Sequence, residues 1–508
     1  MRVNQQALVV CLVWTLIAGQ SGNLQAQEQQ PEPLQPQPEA ALPEQLAGRQ
    51  LSLLECVKFA IDHSYEVKLA RLDFLISRTD ITAAQAVYDL VISADASYEK
   101  DQRQSTSIFA SDLSRTNIYA LGATKTLPSG TELTLSLTDA RDWDDNTAYT
   151  SMNPSHTAEA SIEVRQPVGK NRFGYIDRRD ITVTELAVAN ADLDTKERIE
   201  VLLADVEQAY WQWAFYKENL EVFSQILEKA QKLHQANAAN FDLGRIEKAA
   251  LLASEANLLI KEKNLSLAEN KYRQAEEKIK LLINMEAGQR VDPAEQLQYK
   301  KFDVNLEQCL NAAFVKRRDY QQAKRDIEKE QLTLETKANS LWPEIDLVAS
   351  LAANGVHSEF GRAVNNIVSD QDNTKYYTGI EISVLADNSV AKSEHDKATR
   401  TKEKALVTLK SVERTIVTEV GDAFRDYQTY QLNLAKLEEV VRLQSEKLKE
   451  EERRFQFGRS NTETLIEFQN DYLRAQLDLA TSVVDLEVAR ISLEKAINSI
   501  LEKYARLL

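Results

Sequence analysis

Cross-linking and chain-breaking residues are scarce in this sequence: 508 residues hold 3 cysteines, 10 prolines and 14 glycines. Cys11 lies in an N-terminal apolar run, which leaves Cys56 and Cys309 for the body of the chain. Two thiols are too few for a disulfide framework, and no Cys/His spacing resembles a zinc site. The pair occupies matching points, Cys56-x-x-x-Ala60 and Cys309-x-x-x-Ala313, where helical spacing makes each a buried thiol on an apolar face. An oxidising compartment would also allow them to pair, and spacing alone does not bring them within reach. The histidines, at 63, 156, 234, 357 and 395, are scattered. There is no phosphate-binding glycine loop, nucleophile elbow or H-E-x-x-H. No enzyme activity, cofactor or resident metal is therefore expected. Basic charge is also short: the net charge of -17 argues against a nucleic-acid surface. Past the N-terminus no stretch reaches the ~18 apolar residues of a membrane-spanning helix. What remains abundant is charge, 27% of residues against 7% aromatic, a profile of long helices rather than a compact barrel enzyme.

The N-terminus is distinctive. Met1-Arg2 precedes an apolar run from Ala7 to Ala18, and Ala26 supplies a small residue before a cut. Residues 1–26 read as a secretory signal peptide, the apolar run being short for an anchor. Val10 precedes Cys11 where a lipidation site would want a small residue, so no lipoprotein is expected. Residues 27–48 hold five of the ten prolines among Gln and Glu and read as a disordered leader.

The body of the chain says the same thing twice. Asn240-Phe241-Asp242-Leu243-Gly244-Arg245 recurs 214 positions later as Arg454-Phe455-Gln456-Phe457-Gly458-Arg459. The same offset carries Ala209-Tyr210 onto Ala423-Phe424, Trp213 onto Tyr427 and Ile283-Asn284 onto Ile497-Asn498. Two copies do not make a stacked solenoid. They make two long helical hairpins, each turning at an aromatic-x-x-Gly.

The hydrophobic period divides each copy. The first repeat, 49–285, begins with a helical pattern from Leu51 to about Ala86, where Ser52 and Glu55 form a capping-box signature. The period then changes to 2. Ile92, Ala94, Ala96 and Tyr98 alternate with polar residues, as do Leu133, Leu135 and Leu137, and Ala158, Ala160, Ile162 and Val164. A weaker strand at about 117–127 ends at the turn Pro128-Ser129-Gly130. These strands, within about 90–166, have the length of a tilted strand crossing a bilayer. A soluble sandwich would use the same alternation. Their small number between very long helices, with charge spread along the other face, favours a water-filled barrel. A helical hairpin at 176–285 follows, free of Pro and Gly as far as Asn240. That first helix alone would run roughly 90–100 Å. Residues 286–304 read as a linker.

The second repeat, 305–508, has the same plan: a helix to about 341, Trp342-Pro343, strands within about 344–385 around a loop at 354–375, and a hairpin at 390–504. Its last helix carries a 3/4-spaced seam from Leu465 through Phe468, Tyr472, Ala475, Leu479, Val483, Leu486, Leu493 and Ile497 to Ile500, interrupted by Arg490. Coiled-coil packing or an ordinary bundle core would both use it.

The order signal peptide, helix, strands, hairpin, then helix, strands and hairpin again resembles the TolC-like outer-membrane efflux protein family over about residues 50–505. The marks that carry the resemblance are Phe241-x-x-Gly244, Phe455-x-x-Gly458, Gln166-Pro167-Val168, Trp342-Pro343 and the repeat starts at Ser52–Cys56 and Asn305–Cys309. The fold implied is mainly α with membrane β: duplicated coiled-coil hairpins plus strands of a shared trimeric β-barrel. The resemblance implies a homotrimer in the outer membrane of a Gram-negative-type cell, with a long periplasmic extension. It would be a passive channel-tunnel for tripartite efflux or export, working with a periplasmic adaptor (membrane-fusion) protein and an inner-membrane transporter. It places Phe241, Leu243, Gly244, Arg245, Phe455, Phe457, Gly458 and Arg459 at hairpin tips that dock the adaptor. One acidic ring position of the family matches Glu467. Another falls on Thr464 and a gate arginine on Ser460, so that ion-pair set is incomplete, and Asp242 and Glu463 are further candidate entrance charges. Four strands in the first repeat exceed the two per half of the simplest family members. Small-molecule or metal efflux is the first expectation and type I protein secretion an alternative. A soluble periplasmic coiled-coil scaffold or adaptor is a reading of a different class.

Overall fold

The computed structural model describes residues 49–505 apart from 104–110, 147–150, 287, 298, 300–303 and 370–371. The expected signal peptide and leader lie outside the described residues, as does part of the linker. The chain divides into two compact units. Within the described residues, one comprises Thr79–Glu185 and Lys329–Lys402. The other comprises the chain up to Arg78 with Leu186–Glu328 and Glu403–Leu508.

A three-residue strand, β1 (Arg49–Leu51), leads into helices α1 (Leu53–His63) and α2 (Tyr65–Gln85). The capping box is formed: Ser52 Oγ accepts the Glu55 N–H at 3.2 Å, and the Ser52 N–H donates to the Glu55 carboxylate at 2.9 Å. The continuous helix expected from Leu51 is not there. It starts two residues later and is split at Ser64, whose ψ is 135°. Strands β2 (Leu90–Asp101), β3 (Ser114–Thr126), β4 (Glu132–Asp144) and β5 (Ser155–Pro167) follow, then helices α3 (Tyr175–Asp242) and α4 (Lys248–Leu282). Strand β6 (Val291–Pro293), inside the expected linker, pairs in parallel with β1.

The second copy runs α5 (Leu306–Lys316), α6 (Arg318–Asn339), β7 (Glu344–His357), α7 (Phe360–Ser369), β8 (Thr374–Ser383), α8 (Ser389–Gln456), α9 (Thr462–Ala496) and α10 (Ile500–Lys503). Three expectations are corrected. The helix at 305–341 is broken at Arg317, the counterpart of Ser64. The loop at 354–375 contains α7 and the ends of its two strands. The helix at 462–504 stops at Ala496, with Asn498 in the left-handed region at φ 52°.

The duplication is kept to the residue. Both long helices have 68 residues and both shorter ones 35, so each of the four boundaries moves by 214: 175 to 389, 242 to 456, 248 to 462 and 282 to 496. The repeated Ile-Asn explains the shared ends. Asn284 and Asn498 take φ 53° and 52°, and the next N–H closes the turn onto Lys280 O at 2.9 Å and Glu494 O at 3.0 Å.

The core of the second unit is built on α1, α3, α4, α9 and the chain end, around Tyr210 and Trp213. Tyr210 Oη donates to Leu51 O at 3.1 Å and accepts the Glu295 N–H at 3.2 Å, fixing the linker against β1. Cys56 lies in this cluster, whereas Cys309 lies in another with Ala313, Ile416, Val420 and Leu493. Both thiols are buried and free.

Candidate functional site

Two features are built in a way that packing alone does not require: a sheet in the first unit and the ends of the hairpins in the second. The sheet has the order β2-β3-β4-β5-β7-β8, antiparallel throughout. Cross-strand pairing sorts its residues by face. One row reads Ile92, Ala123, Leu135, Ile162, Leu351, Tyr376, and the next reads Ala94, Leu121, Leu137, Ala160, Ala353, Thr374. Many of these apolar side chains are exposed, among them Ile92, Leu121, Leu137 and Tyr376. The opposite face is polar. Ser136 and Ser161 hydroxyls are 2.8 Å apart, Thr116 donates to Asp142 at 2.7 Å, and Arg165 pairs with Asp346 at 3.1 Å and Glu381 at 2.6 Å. A sheet whose polar face is internally hydrogen-bonded while its apolar face is bare inverts the arrangement of a soluble sandwich.

The apolar face ends at a row that is polar from β3 to β7, Asn117, Arg141, His156, His357, with Tyr98 of β2 opposite Asn117. One row inward, Asp139 stands beside Ala158, and its Oδ2 lies 2.9 Å from His156 Nδ1. Helix α7 covers this spot. Its backbone comes so close to Gly355 that an added Cβ would fall 2.1 Å from Ala363 O, and Ala158 and Ala363 are buried.

The hairpin tips are made twice with one geometry. Gly244 and Gly458 both have φ 67°, which favours glycine, and the following arginine N–H closes onto Asn240 O and Arg454 O at 2.8 Å. The side chains differ. Leu243 and Phe457 are 65% and 78% exposed, and Phe241 is exposed too. Phe455 instead packs beside a buried cluster of Leu233, Leu448 and Leu465 with Phe468 and Tyr472. Asp242, Arg245, Arg459, Glu463 and Glu467 are all exposed.

Several polar residues at and along the ends of the hairpins carry no recognised motif, and their partners are fixed by the folded hairpins. Buried Asn237 donates to Thr462 Oγ1 at 3.2 Å, joining α3 to α9. Ser460, where the resemblance would put an arginine, hydrogen-bonds buried Glu451. Lys447 pairs with Asp471 at 2.8 Å and lies 3.8 Å from the Phe468 ring centre. Lys261 of α4 is buried against Asn470 of α9, and burial pushes its ammonium below the ordinary lysine range. Asn461 caps α9, its side chain accepting the Thr464 N–H at 2.8 Å; an Asn just before the apolar seam is the signal that could have marked it.

Further along α9, Arg490 shows how a charge sits in an apolar seam. It pairs with Glu487 at 2.8 Å, Glu494 at 2.5 Å and Glu207 at 3.5 Å, and Lys503 reaches Glu207 at 3.0 Å. Burial works against the Arg490 charge, but the carboxylates outweigh it and raise its affinity for the proton. Glu200, fully buried, accepts the backbone N–H groups of Ile500 and Leu501 at 2.8 and 2.9 Å and pairs with Arg318 at 3.1 Å. Burial still pushes its carboxyl upward.

Among the described residues no group of three or more His, Cys, Asp or Glu could hold a metal ion, and no helix is long and apolar enough to cross a membrane. The family profile described as Outer membrane efflux protein matches residues 128–285 and 309–499. No curated protein matches the sequence. Solved structures match the fold over nearly the whole chain. The outer-membrane channel OprN is 16% identical, with a TM-score of 0.68, covering 88% of this chain and 90% of its own. The CmeC outer membrane channel of Campylobacter jejuni is 12% identical, with a TM-score of 0.67, covering 90% and 89%. The MtrE outer membrane channel of Neisseria gonorrhoeae, in its open state, is 15% identical, with a TM-score of 0.65, covering 88% and 89%.

Proposed function

The chain belongs to the outer membrane efflux protein family, and from that premise we propose that three copies of it form one passive channel through an outer membrane. The observation that carries this reading is the open sheet. In lipid every backbone N–H and C=O needs a partner, so a sheet there must close on itself. Six strands from one chain leave β2 and β8 as edges. Six is even and the pairing antiparallel, so these edges run in opposite directions. A copy rotated about a common axis then offers its β2 to the β8 of its neighbour in antiparallel register. Three such sheets of six strands give a barrel of eighteen. The apolar rows face acyl chains and the Ser, Thr and Glu rows face a water-filled bore.

A conduit needs no catalytic group. It needs polar walls and an end that closes when idle, with selectivity set by bore width and charge. The hairpin tips supply that end in the periplasm. Leu243 and Phe457, held outward by the left-handed turns at Gly244 and Gly458, are the apolar contacts for helical hairpins of a periplasmic adaptor, with Phe241, Arg245 and Arg459 beside them. Phe455 braces the second tip from within. Asp242, Glu463 and Glu467, present three times around one axis, set the field at the entrance. The energy for export comes from an inner-membrane transporter bound through the adaptor, and partner contacts shift the inner helices to open the end.

Cell fractionation tests the reading. The protein is expected with outer membranes, released by detergent as a particle about three times the chain mass. Recovery as a detergent-free monomer from the periplasm would overturn it and leave the soluble scaffold.

A further inference from the structure

We propose that helix α7 is a membrane-interface helix, seated at the rim of the barrel with its exposed apolar ridge in a lipid surface. This rests on the reading that the apolar face of the sheet lies in lipid.

The position of α7 is the first support. The bare apolar rows of the sheet stop at the polar row Asn117, Arg141, His156, His357, at the end of the sheet opposite the β3–β4 turn. That border is where hydrocarbon would give way to headgroups. Helix α7 is bound there and on the apolar face: Gly355, which it contacts, pairs with Ala158 in the same register as the apolar rows. Asn366 Nδ2 fastens it further by donating to Val356 O at 3.3 Å.

What it covers is the second. Asp139 and His156 form a polar pair at the border of the apolar face, Asp139 standing one row inside it. The Phe360 ring meets His156 edge-on, with centres 6.0 Å apart. A pair of ionisable side chains facing hydrocarbon is costly. The helix roofs it.

The third is what α7 leaves uncovered. Ala363 is spent on the sheet, yet Phe360, Val364 and Val368, four residues apart, remain 54%, 41% and 54% exposed. Arg362 and Asn365 fall away from that ridge on the helix wheel. A ten-residue helix that turns Ala363 and half-buried Ile367 to the sheet and bares its three other large apolar residues has no finished core to serve on that side. The ridge continues the uncovered apolar face of the sheet beside it, so the same acyl chains cover both. Interfacial helices are built this way, with a polar side to water and an apolar side in the acyl boundary.

Nitroxide labels read the depth directly. In the full-length chain carrying Cys11→Ala, Cys56→Ala and Cys309→Ala, single variants Val364→Cys, Asn365→Cys and Leu137→Cys are labelled and placed in phosphatidylcholine–phosphatidylglycerol vesicles. Collision with dissolved oxygen reports lipid, and collision with a water-soluble nickel chelate reports water. The oxygen-to-nickel ratio at 364 is expected to be several-fold above that at 365 and close to that at 137. Equal ratios at 364 and 365 with a lipid-buried 137 would overturn the role of α7 and leave the channel intact. A water-exposed 137 would remove the lipid-facing sheet, and this proposal with it. Adding Gly355→Leu to the labelled Val364→Cys chain, which forces α7 off the sheet, is expected to lower the ratio at 364 while leaving it unchanged at 137 in a parallel variant.

Discussion

Cys56 is a thiol that its surroundings keep protonated. Burial, with Glu295 and Glu55 adding to it, pushes it from 9.0 up to about 12. The folded chain therefore holds a proton that the unfolded chain releases, and stability falls as pH rises between 9.0 and about 12. Cys56→Val should flatten that slope in a comparison of denaturation midpoints with the parent across this range. A variant as alkali-sensitive as the parent would count against the burial. That Cys56 and Cys309 are buried and helical was legible from their spacing to Ala60 and Ala313. That they do not pair was not, because which cluster each joins depends on helices hundreds of residues away. The same divide runs through the polar residues. The Ser52 capping box acts over three residues and could be read directly. Glu200, Asn237 and Arg317 are fixed by Arg318, Thr462 and Glu419, and no local pattern announces such partners.

Elements follow the same logic. The switch from period 3.6 to period 2 marked five strands of the large sheet, since one bare face and one polar face leave a strong alternating signal, and the turn Pro128-Ser129-Gly130 marked the end of the weaker β3. The three-residue strands β1 and β6 are too short to have a period. Ser64 and Arg317 break helices without Pro or Gly: Ser64 Oγ accepts the Glu66 N–H at 3.2 Å at the start of α2, and Arg317 holds nearby Asp319 and distant Glu419, both at 2.6 Å. Helix α7 reads as loop in the sequence because its apolar ridge lies among Gly, Asn and Ser. The hairpins were the most legible elements, since each tip needs a left-handed residue. Gly244→Val and Gly458→Val each place a β-branched residue at φ 67°, costing about 1–2 kcal/mol at the turn. Neither glycine has a neighbour that an added Cβ would strike, so the loss is conformational. Each variant should weaken adaptor cross-linking at the tips and speed amide exchange over Phe241–Arg245 or Phe455–Arg459, with barrel assembly unchanged. Parent-like exchange and cross-linking in both would remove the tips from docking.

For the assembled molecule, the decisive contact is one that a single chain cannot make. If β2 of one copy pairs with β8 of the next, cysteines on those two strands should cross-link between copies. A scan combining Ser93→Cys or Ser97→Cys with Lys375→Cys, Tyr377→Cys or Glu381→Cys should yield covalent trimers on mild oxidation from some double variants, and none from the single ones. A scan without any inter-chain product would reject the shared barrel. On the shared-barrel reading the sequence already implies partner copies, because so few strands cannot close a cylinder. The register of the join was beyond it, because no residue within one chain records it. The equal helix lengths carry a consequence for descent. Losing one residue from α3 would turn everything beyond it by about 100° and draw its tip back by ~1.5 Å relative to its twin. Asn237 would then miss Thr462, and the paired tips would no longer be level. An insertion or deletion in one hairpin is therefore expected to be tolerated only with a matching one in the other, which makes residue number, more than residue identity, what the two halves must share.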